Sequence, residues 1–578
     1  MQPSSDQPTE PGSGNALRRW GPIVAIVAVI AVVVGLVVMG GGDDDDTAST
    51  GDDASETEDG STDSTDGAAR PEGAISWAQA QEEDLDVTFP ETCDQETGRI
   101  AIPYFFAPEC FADVDENGGA TTRGVTEDSI TVVYYSAPDS DPVLDFITGP
   151  IANDDTRAQV EETVQGFVEL FGSYYQTYGR TVDLRIVEAS GSSTDEVAAR
   201  ADAQRAIEEH QPFAAFGGPV LTSAWADEMA AAGVMCISCG SMGNEQFRAD
   251  RAPYLINIGM AGNQTDLHAA EWVSKRLAGE PAEFGGDAVV DTERTFGHVY
   301  ITSSEESEQN AQAFADALSE NGVELTERLS YELDPGRLPE QATSLISKLK
   351  ESGVTTVLLQ ADPIAPATFT QEATAQEYFP EWAVVGGTLV DTNTFGRVFD
   401  PQQWEHAFGI TSNAVSLAPD ITPGFALYEW FHGEQPPADE TAPILFPSPS
   451  LLFSLLQAAG PELTPETFNQ ALFAYAPTQR AITQPSLSWG DHGIWDTEAD
   501  WSGVDDKTEW WWDPTATGPD EIQREGDGMI RFVDGGKRYL PGEWGESEIR
   551  LFDPEGTVTI FDEPPADETP PEYPSPAG

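Results

Sequence analysis

From Gly124 onward the chain alternates short apolar runs with stretches of helical periodicity, and this alternation restricts the fold more than any other feature. The run Ser129–Tyr135 (SITVVYY) is rich in β-branched and aromatic residues, as is typical of a buried strand, and Val160–Tyr178 follows with a helical pattern. Strands that alternate with helices of this length indicate βαβ units and a parallel sheet. The sequence therefore predicts an α/β fold.

The other predicted elements repeat these two patterns. A capping box of Ser193 and Glu196 predicts a helix that extends to about His210. Further helices are expected at 222–232, around 311–318, from 339 to 353 and around 452–459. Further strands are expected at 181–187, 213–217, 234–238, 298–302, 355–360 and 382–385.

Two such series, joined by a crossover near Gly262–His268, predict two parallel-sheet lobes connected by a hinge. We place lobe I at 124–265, lobe II at 266–410, and a return crossover with further lobe I helices at 411–480. Open parallel sheets bind ligands beyond the carboxyl ends of their strands. The cleft between the lobes is therefore the expected ligand site.

An apolar run without a single charge, Trp20–Gly40, precedes the lobes. At 1.5 Å per residue it reaches about 30 Å, the thickness of a bilayer core. Arg18 and Arg19 before the run predict that residues 1–19 are cytoplasmic, that 20–40 form one transmembrane helix, and that the rest is extracytoplasmic. The alternative is a cleavable signal peptide, whose apolar region would be shorter.

The chain carries 27 basic and 101 acidic residues, a formal net charge of −74. This balance excludes nucleic acid as a partner, because no basic surface exists to neutralise phosphates. Residues 41–75 have the composition of an acidic, disordered tether. The Pro-rich tail 563–578 is also expected to be disordered.

Four cysteines in an extracytoplasmic chain indicate disulfides. Proximity favours Cys93 with Cys110, in a segment at 76–123, and Cys236 with Cys239. The second pair is a C-x-x-C, for which a redox pair or half of a zinc site is the alternative. No further spacing of cysteines or histidines suits a metal, and we expect neither a metal nor a cofactor.

Seven of the fourteen tryptophans lie between Trp489 and Trp544, in an extension at 481–562. Large aromatic side chains usually fill a core or dock one element on another. Stacking of exposed rings on a sugar is the alternative. The extension is therefore expected to pack on the lobes.

Three segments resemble the type I periplasmic solute-binding proteins, the Leu/Ile/Val-binding-protein-like receptors of ABC importers. Residues 124–130 (GVTEDSI) are similar to the opening of that family, and 213–241 (FAAFGGPVLTSAWADEMAAAGVMCISCGS) to its strand, Ser/Thr loop, helix and strand. Residues 450–475 are similar to its returning helices. The resemblance implies a two-lobed protein that closes on a small polar solute and presents it to a membrane permease.

The resemblance also implies which loops contact the solute. In lobe I these loops contain Ser136, Thr222, Ser223, Cys239, Gly240 and Ser241. In lobe II they contain Ser303, Ser304, Glu305, Gln360, Asp362, Thr388 and Asp391. Helix N-termini in such loops favour a carboxylate or another anion.

This chain departs from the amino-acid binders of that family at two positions. Glu305-Glu306-Ser307 replaces a Tyr-Gly pair, and Asp391 is the nearest substitute for a Glu expected near Gly386. An amide, a peptide fragment or another polar solute is therefore as compatible with the sequence as an amino acid.

No motif for a nucleophile elbow, a zinc protease, a phosphate-binding loop or a dinucleotide site is present. We therefore expect a binding protein rather than an enzyme, membrane-anchored and serving an ABC importer. A sensor or scaffold for a separate membrane partner is the main alternative, and a hydrolase with a hidden carboxylate pair is the second.

Overall fold

The structure is a computed structural model that describes residues 70–138, 140–240, 244–302, 305–497, 499–545 and 550–578, without the side chains of 305 and 306. The expected transmembrane helix at 20–40 and most of the acidic tether lie outside these residues. Within the described ranges, no helix combines the length and hydropathy needed to cross a membrane.

The strands of the described residues include two large sets and several two-residue pairs. They are β1 Ser129–Ser136, β2 Thr181–Glu188, β3 Ala214–Phe216, β4 Met235–Ile237, β5 Leu255–Ile256, β6 Pro281–Ala282, β7 Thr292–Glu293, β8 Phe296–Ile301, β9 Leu325–Tyr331, β10 Thr356–Ala361, β11 Glu381–Gly387, β12 Ala407–Thr411, β13 Ser416–Leu417, β14 Lys507–Pro519, β15 Glu525–Phe532, β16 Arg538–Tyr539 and β17 Ile560–Phe561.

The helices alternate with these strands up to residue 404 and then form a return segment. They are α1 Trp77–Glu82, α2 Pro142–Ile147, α3 Arg157–Tyr174, α4 Glu196–His210, α5 Ala224–Ala231, α6 Glu245–Ala249, α7 Gly262–Trp272, α8 Glu305–Glu320, α9 Leu338–Glu351, α10 Ala365–Ala375, α11 Asn393–Gly396, α12 Pro401–Trp404, α13 Pro423–His432, α14 Ala442–Leu445, α15 Pro447–Ala458 and α16 Pro465–Phe473. Single turns occur at Gly149–Ile151, Val273–Leu277, Pro419–Ile421 and Val533–Gly535.

The sheet of lobe I has five parallel strands in the order β2-β1-β3-β4-β5. The short strands β3 and β4 are buried at every residue, as expected for a parallel sheet covered on both faces. Helices α3 and α15 share one apolar core with this sheet, which includes Phe167 and Leu452. The return segment thus comes back to lobe I.

The sheet of lobe II contains the parallel strands β9-β8-β10-β11-β12 and continues into β14 and β15, which are antiparallel. The strand β14 pairs with β12 through residues such as Gly409 and Trp510. The C-terminal extension therefore lengthens the lobe II sheet.

The triple tryptophan of the extension divides between two cores. Trp510 and Trp512 belong to the core on one face of the lobe II sheet, and Trp511 belongs to the core on the other face. This division follows from the strand geometry, in which successive side chains point to opposite faces. All three rings are less than 10% exposed, and the prediction that they pack within the protein is confirmed.

Both ends of the described chain pack on lobe I. Ile102 and Tyr104 of the N-terminal segment belong to the lobe I core. The C-terminal tail differs from the expectation of disorder: Tyr573 donates a hydrogen bond to Asp94 at 2.7 Å, and the buried Glu568 carboxylate accepts from the backbone N–H groups of Ile482 and Thr483. Specific side chains hold this Pro-rich segment, which composition alone does not reveal.

Two predicted details of the helices are corrected. The N-cap of α4 is Asp195, whose carboxylate accepts from Ala198 N at 3.0 Å, and not Ser193. The helix α3 ends at Tyr174, four residues earlier than predicted, because Tyr175 is extended and Tyr178 has a positive φ of 56°. The predicted crossover near Gly262 contains the helix α7.

Candidate functional site

The lobe I loops that were expected to contact a solute follow β3 and β4. Thr222 is buried, and its hydroxyl accepts from Ala224 N, while Ser223 donates to Asp227 at the start of α5. Gly240 has a φ of +81°, and a Cβ there would lie 2.4 Å from the carbonyl oxygen of Pro219. The Thr222 and Ser223 contacts tie this loop to the start of α5, and Gly240 allows two loops to approach closely.

The other lobe I candidates also have partners within the protein. Ser136, fully buried at the end of β1, donates to Glu161 Oε1 at 2.6 Å. Cys239 is bonded to Cys236, and Cys93 to Cys110, so both cysteine pairs favoured by the sequence are disulfides in the structure. Ser241 lies outside the described residues.

In lobe II, Gln360 stands in a buried polar chain at the end of β10. His298 Nε2 donates to Gln360 Oε1 at 2.9 Å, and Gln360 Nε2 donates to Asp266 Oδ1 at 2.7 Å. Burial raises the pKa of Asp266 to about 7 and lowers that of His298 to about 3. This row of hydrogen bonds joins lobe II to the crossover helix α7.

Asp362 has a structural role. Its carboxylate accepts from the Tyr331 hydroxyl at 2.6 Å and from the N–H groups of Ile364 and Ala365, where α10 begins. Ser303 and Ser304 lie outside the described residues, and Glu305 is the first residue of α8.

Thr388 and Asp391 follow β11 and have unsatisfied groups. The Thr388 hydroxyl and Asp391 Oδ1 are buried without a hydrogen-bond partner, while Asp391 Oδ2 accepts from Thr411 Oγ1. Burial raises the pKa of Asp391, although Thr411 and the charge of Lys507 act in the opposite direction. A buried acceptor without a partner is costly unless a ligand supplies the donor.

A cavity of about 370 Å³ lies beside Asp391, at the carboxyl ends of β11 and β12. Lobe I contributes Ile151 and Ile444 to its wall, and the crossover contributes Met260 and Thr265. The cavity, which we call the interlobe cavity, is therefore bounded by both lobes and the hinge. Its wall also contains Gly386, Gly387, Leu389, Thr392, Asn393, Ile410, Ser412, Asn413, Ala414, Ser416, Pro485, Val504, Lys507, Glu521, Ile522, Ile530, Phe532 and Thr559.

Lys507, the first residue of β14, brings a positive charge to the interlobe cavity. Its side chain is 3% exposed, and its ammonium donates to Ser412 Oγ at 3.1 Å. It forms no ion pair with the carboxylates of the described residues. Burial lowers the pKa of Lys507 to about 8, while Asp391, Asp266 and Asp506 act in the opposite direction.

The interlobe cavity thus combines an apolar wall with two buried charges at one end. Lys507 can bind a carboxylate, and the free oxygen of Asp391 can accept from an amino or hydroxyl group. Glu521 is occupied, because its carboxylate accepts from the N–H groups of Asn393 and Thr394. Such a site suits a small solute with one polar end.

The sequence analysis missed Lys507. Of the thirteen expected ligand residues, Asp391 is the one that lines the described interlobe cavity. Lys507 lies in the run Asp505-Asp506-Lys507-Thr508-Glu509, which has the composition of a solvated loop. The available signal was the triple tryptophan at 510–512, which indicates that this run enters a core.

A family model described as "Periplasmic binding protein" matches residues 142–495, more than half of the chain. No curated protein matches this chain. Similar solved structures include an R. palustris ABC transporter solute-binding protein in complex with 4-hydroxybenzoate, at 14% identity and a TM-score of 0.47, which covers 72% of this chain and 99% of that one.

Two other solved structures are similar at the same level. A Sphaerobacter thermophilus ABC transporter substrate-binding protein has 12% identity and a TM-score of 0.47, and covers 73% and 100% of the two chains. A Thermomonospora curvata fatty acid ABC transporter substrate-binding protein has 16% identity and a TM-score of 0.45, and covers 74% and 95%. At these TM-scores and identities, the structural similarity adds no argument to the family match. Because that match spans most of both lobes, this chain belongs to the periplasmic binding protein family, whose members bind solutes and are not enzymes.

Proposed function

We propose that this protein captures a small carboxylate-bearing solute in the interlobe cavity and delivers it to an ABC permease. The observation that carries the proposal is the buried ammonium of Lys507, which lines a largely apolar cavity and forms no direct ion pair with a carboxylate of the described residues. A buried charge of this kind is stabilised when a ligand supplies its counter-ion.

The apolar wall defines the rest of the solute. Ile151, Leu389 and Phe532 are among the apolar side chains that line the cavity. Because the buried Asp391 Oδ1 has no hydrogen-bond partner among the described residues, a carboxylate with a neighbouring amino or hydroxyl group suits the site best. An apolar amino acid or hydroxy acid satisfies these conditions.

Membrane tethering is part of the proposal. The apolar run at 20–40 and the acidic segment after it would hold the binding lobes close to the permease. Expression of the full chain followed by membrane fractionation tests this part. The protein is expected in the membrane fraction with its N-terminus intact, and release of a shorter soluble form would show a cleaved signal.

A thermal-shift screen of residues 76–578 against pairs of acids and their amides tests the binding proposal. A ligand at about 100 times its Kd adds about 2.7 kcal/mol to stability. An acid should therefore raise the melting temperature by several degrees, and its neutral amide should not. Equal shifts by acid and amide would contradict the role of Lys507.

A further inference from the structure

A second cavity of about 300 Å³ lies next to the interlobe cavity on the lobe I side. Its wall includes Phe446 and Leu451 from the return helices and Ile258 from the segment after β5. The two cavities share two wall residues, Pro485 and Val504. The two cavities therefore adjoin at these residues.

The second cavity presents apolar surface. No charged side chain is among the described residues that line it. Two of its large polar side chains are satisfied within the protein: Tyr104 donates to Gln484 Oε1 at 2.8 Å, and Trp489 Nε1 donates to Asn257 O at 2.9 Å. The surface that faces the cavity is therefore mainly apolar, and it suits a hydrocarbon group rather than a polar group.

The distance between Lys507 and the second cavity suits an extended hydrocarbon chain. Val504 is three residues from Lys507, a separation of about 10 Å when the backbone is extended. Cavities for drug-sized ligands span about 300–1,000 Å³. The interlobe cavity alone suits a short solute, whereas the two cavities together have room for a long one.

We propose that the solute is an amphiphile with a straight apolar chain, whose polar end lies at Lys507 and whose chain extends past Val504 into the second cavity. This inference rests on the proposed function, because it uses the same polar end. It adds the substrate class: carboxylates with chains longer than the interlobe cavity holds.

Calorimetric titration with 2-aminobutanoate, 2-aminooctanoate and 2-aminododecanoate tests the inference. Each buried methylene is expected to strengthen binding about fourfold. The wild-type affinity should therefore rise through the series by at least two orders of magnitude. Binding of 2-aminobutanoate with no gain for the longer acids would overturn the inference and leave the proposed function intact, whereas failure of all three acids would count against both.

A pair of variants tests where the hydrocarbon chain of the solute lies. Ser450→Phe places a ring in the second cavity, and Ser448→Phe is the matched control on the same helix, at a position that does not line it. Ser450→Phe should remove the gain of the longer acids and preserve the affinity for 2-aminobutanoate. An unchanged gain in a folded Ser450→Phe protein would overturn the inference; should this variant not fold, the wild-type series decides.

Discussion

The ammonium of Lys507 donates to Ser412 Oγ at 3.1 Å and forms no direct ion pair with a carboxylate of the described residues, although its side chain is almost fully buried and Asp391 acts on its charge. Ser412 follows β12, the last parallel strand of the lobe II sheet, and Lys507 begins β14, the antiparallel extension of that sheet. Their contact places a positive charge at the hinge end of the interlobe cavity. Lys507 also lies beyond the part of the chain that the family model matches.

Replacement of Lys507 by Met should weaken binding of a carboxylate solute. A hydrogen bond to a charged group contributes about 1.5–3 kcal/mol, so we expect a loss of roughly 10- to 100-fold in affinity. Calorimetric titration measures this change. The control is Lys350→Met, an exposed lysine on α9, which should bind as the wild type does; equal affinity of the two variants would remove Lys507 from the site.

The affinity for a carboxylate solute should depend on pH. Since burial lowers the pKa of Lys507 to about 8, the ammonium form is present below that pH and is lost as the pH rises through it. We expect affinity to be constant from pH 6 to 7 and to fall about tenfold per unit above pH 8. Titration at pH 6 to 10 checks this, and a profile that is flat to pH 10 would show that Lys507 does not carry the binding.

Asp266→Asn should stabilise the protein at alkaline pH. Burial raises the pKa of Asp266 to about 7 in the folded state, so the folded protein holds a proton that the unfolded chain releases between pH 4 and 7. Stability from this group is therefore lost as the pH rises through that window. The amide keeps the oxygen that accepts from Gln360 and cannot ionise.

Urea unfolding at pH 4 and pH 8 tests this effect. At pH 8 the variant should exceed the wild type by at least about 1.4 kcal/mol, the equivalent of one pKa unit. At pH 4 the two proteins should be alike. A variant less stable than the wild type at both pH values would show that Asp266 is ionised and favourably paired in the folded state.

Most of the lobe architecture could be predicted from the sequence, because its signals are local. The strands β8 and β10 are buried at every residue and are mainly apolar, and the helices α8 and α9 end near Gly322 and Gly353. The ligand site was harder to predict from the sequence. Thr222, Ser223 and Asp362 have the residue types of ligand loops, but in the structure their side chains bond to groups at the start of α5 and α10, and local sequence does not separate the two roles.

The part that the sequence did not reveal depends on long-range pairing. The strand β14 joins β12 across almost 100 residues, and it is this pairing that buries Lys507 and Glu509 in an otherwise acidic run. Composition predicts solvation for such a run. The tail likewise depends on single contacts, such as that of Tyr573 with Asp94, rather than on any periodic pattern.

Glu509→Gln should destabilise lobe II strongly. Glu509 pairs with Arg276 at 3.0 Å and accepts from Trp272 Nε1 at 2.8 Å, and both charged side chains are 3% exposed. Removal of one charge from a buried pair costs about 3–5 kcal/mol. Urea unfolding measures the loss, which would also show that the extension is integral to the lobe.

The matched control is Glu332→Gln, since Glu332 pairs with Arg337 where both side chains are more than half exposed. An exposed pair contributes about 1 kcal/mol or less. Similar small losses for Glu509→Gln and Glu332→Gln would contradict the burial of the Arg276–Glu509 pair.

The most direct test of the account is a calorimetric titration of residues 76–578 with the acid that gives the largest thermal shift, followed by mass analysis of the recovered solute. Capture between the lobes predicts one molecule bound per chain, an affinity roughly 10- to 100-fold weaker in the Lys507→Met variant, and solute recovered chemically unchanged. Saturation with no dependence on Lys507, or conversion of the solute to a product, would contradict it.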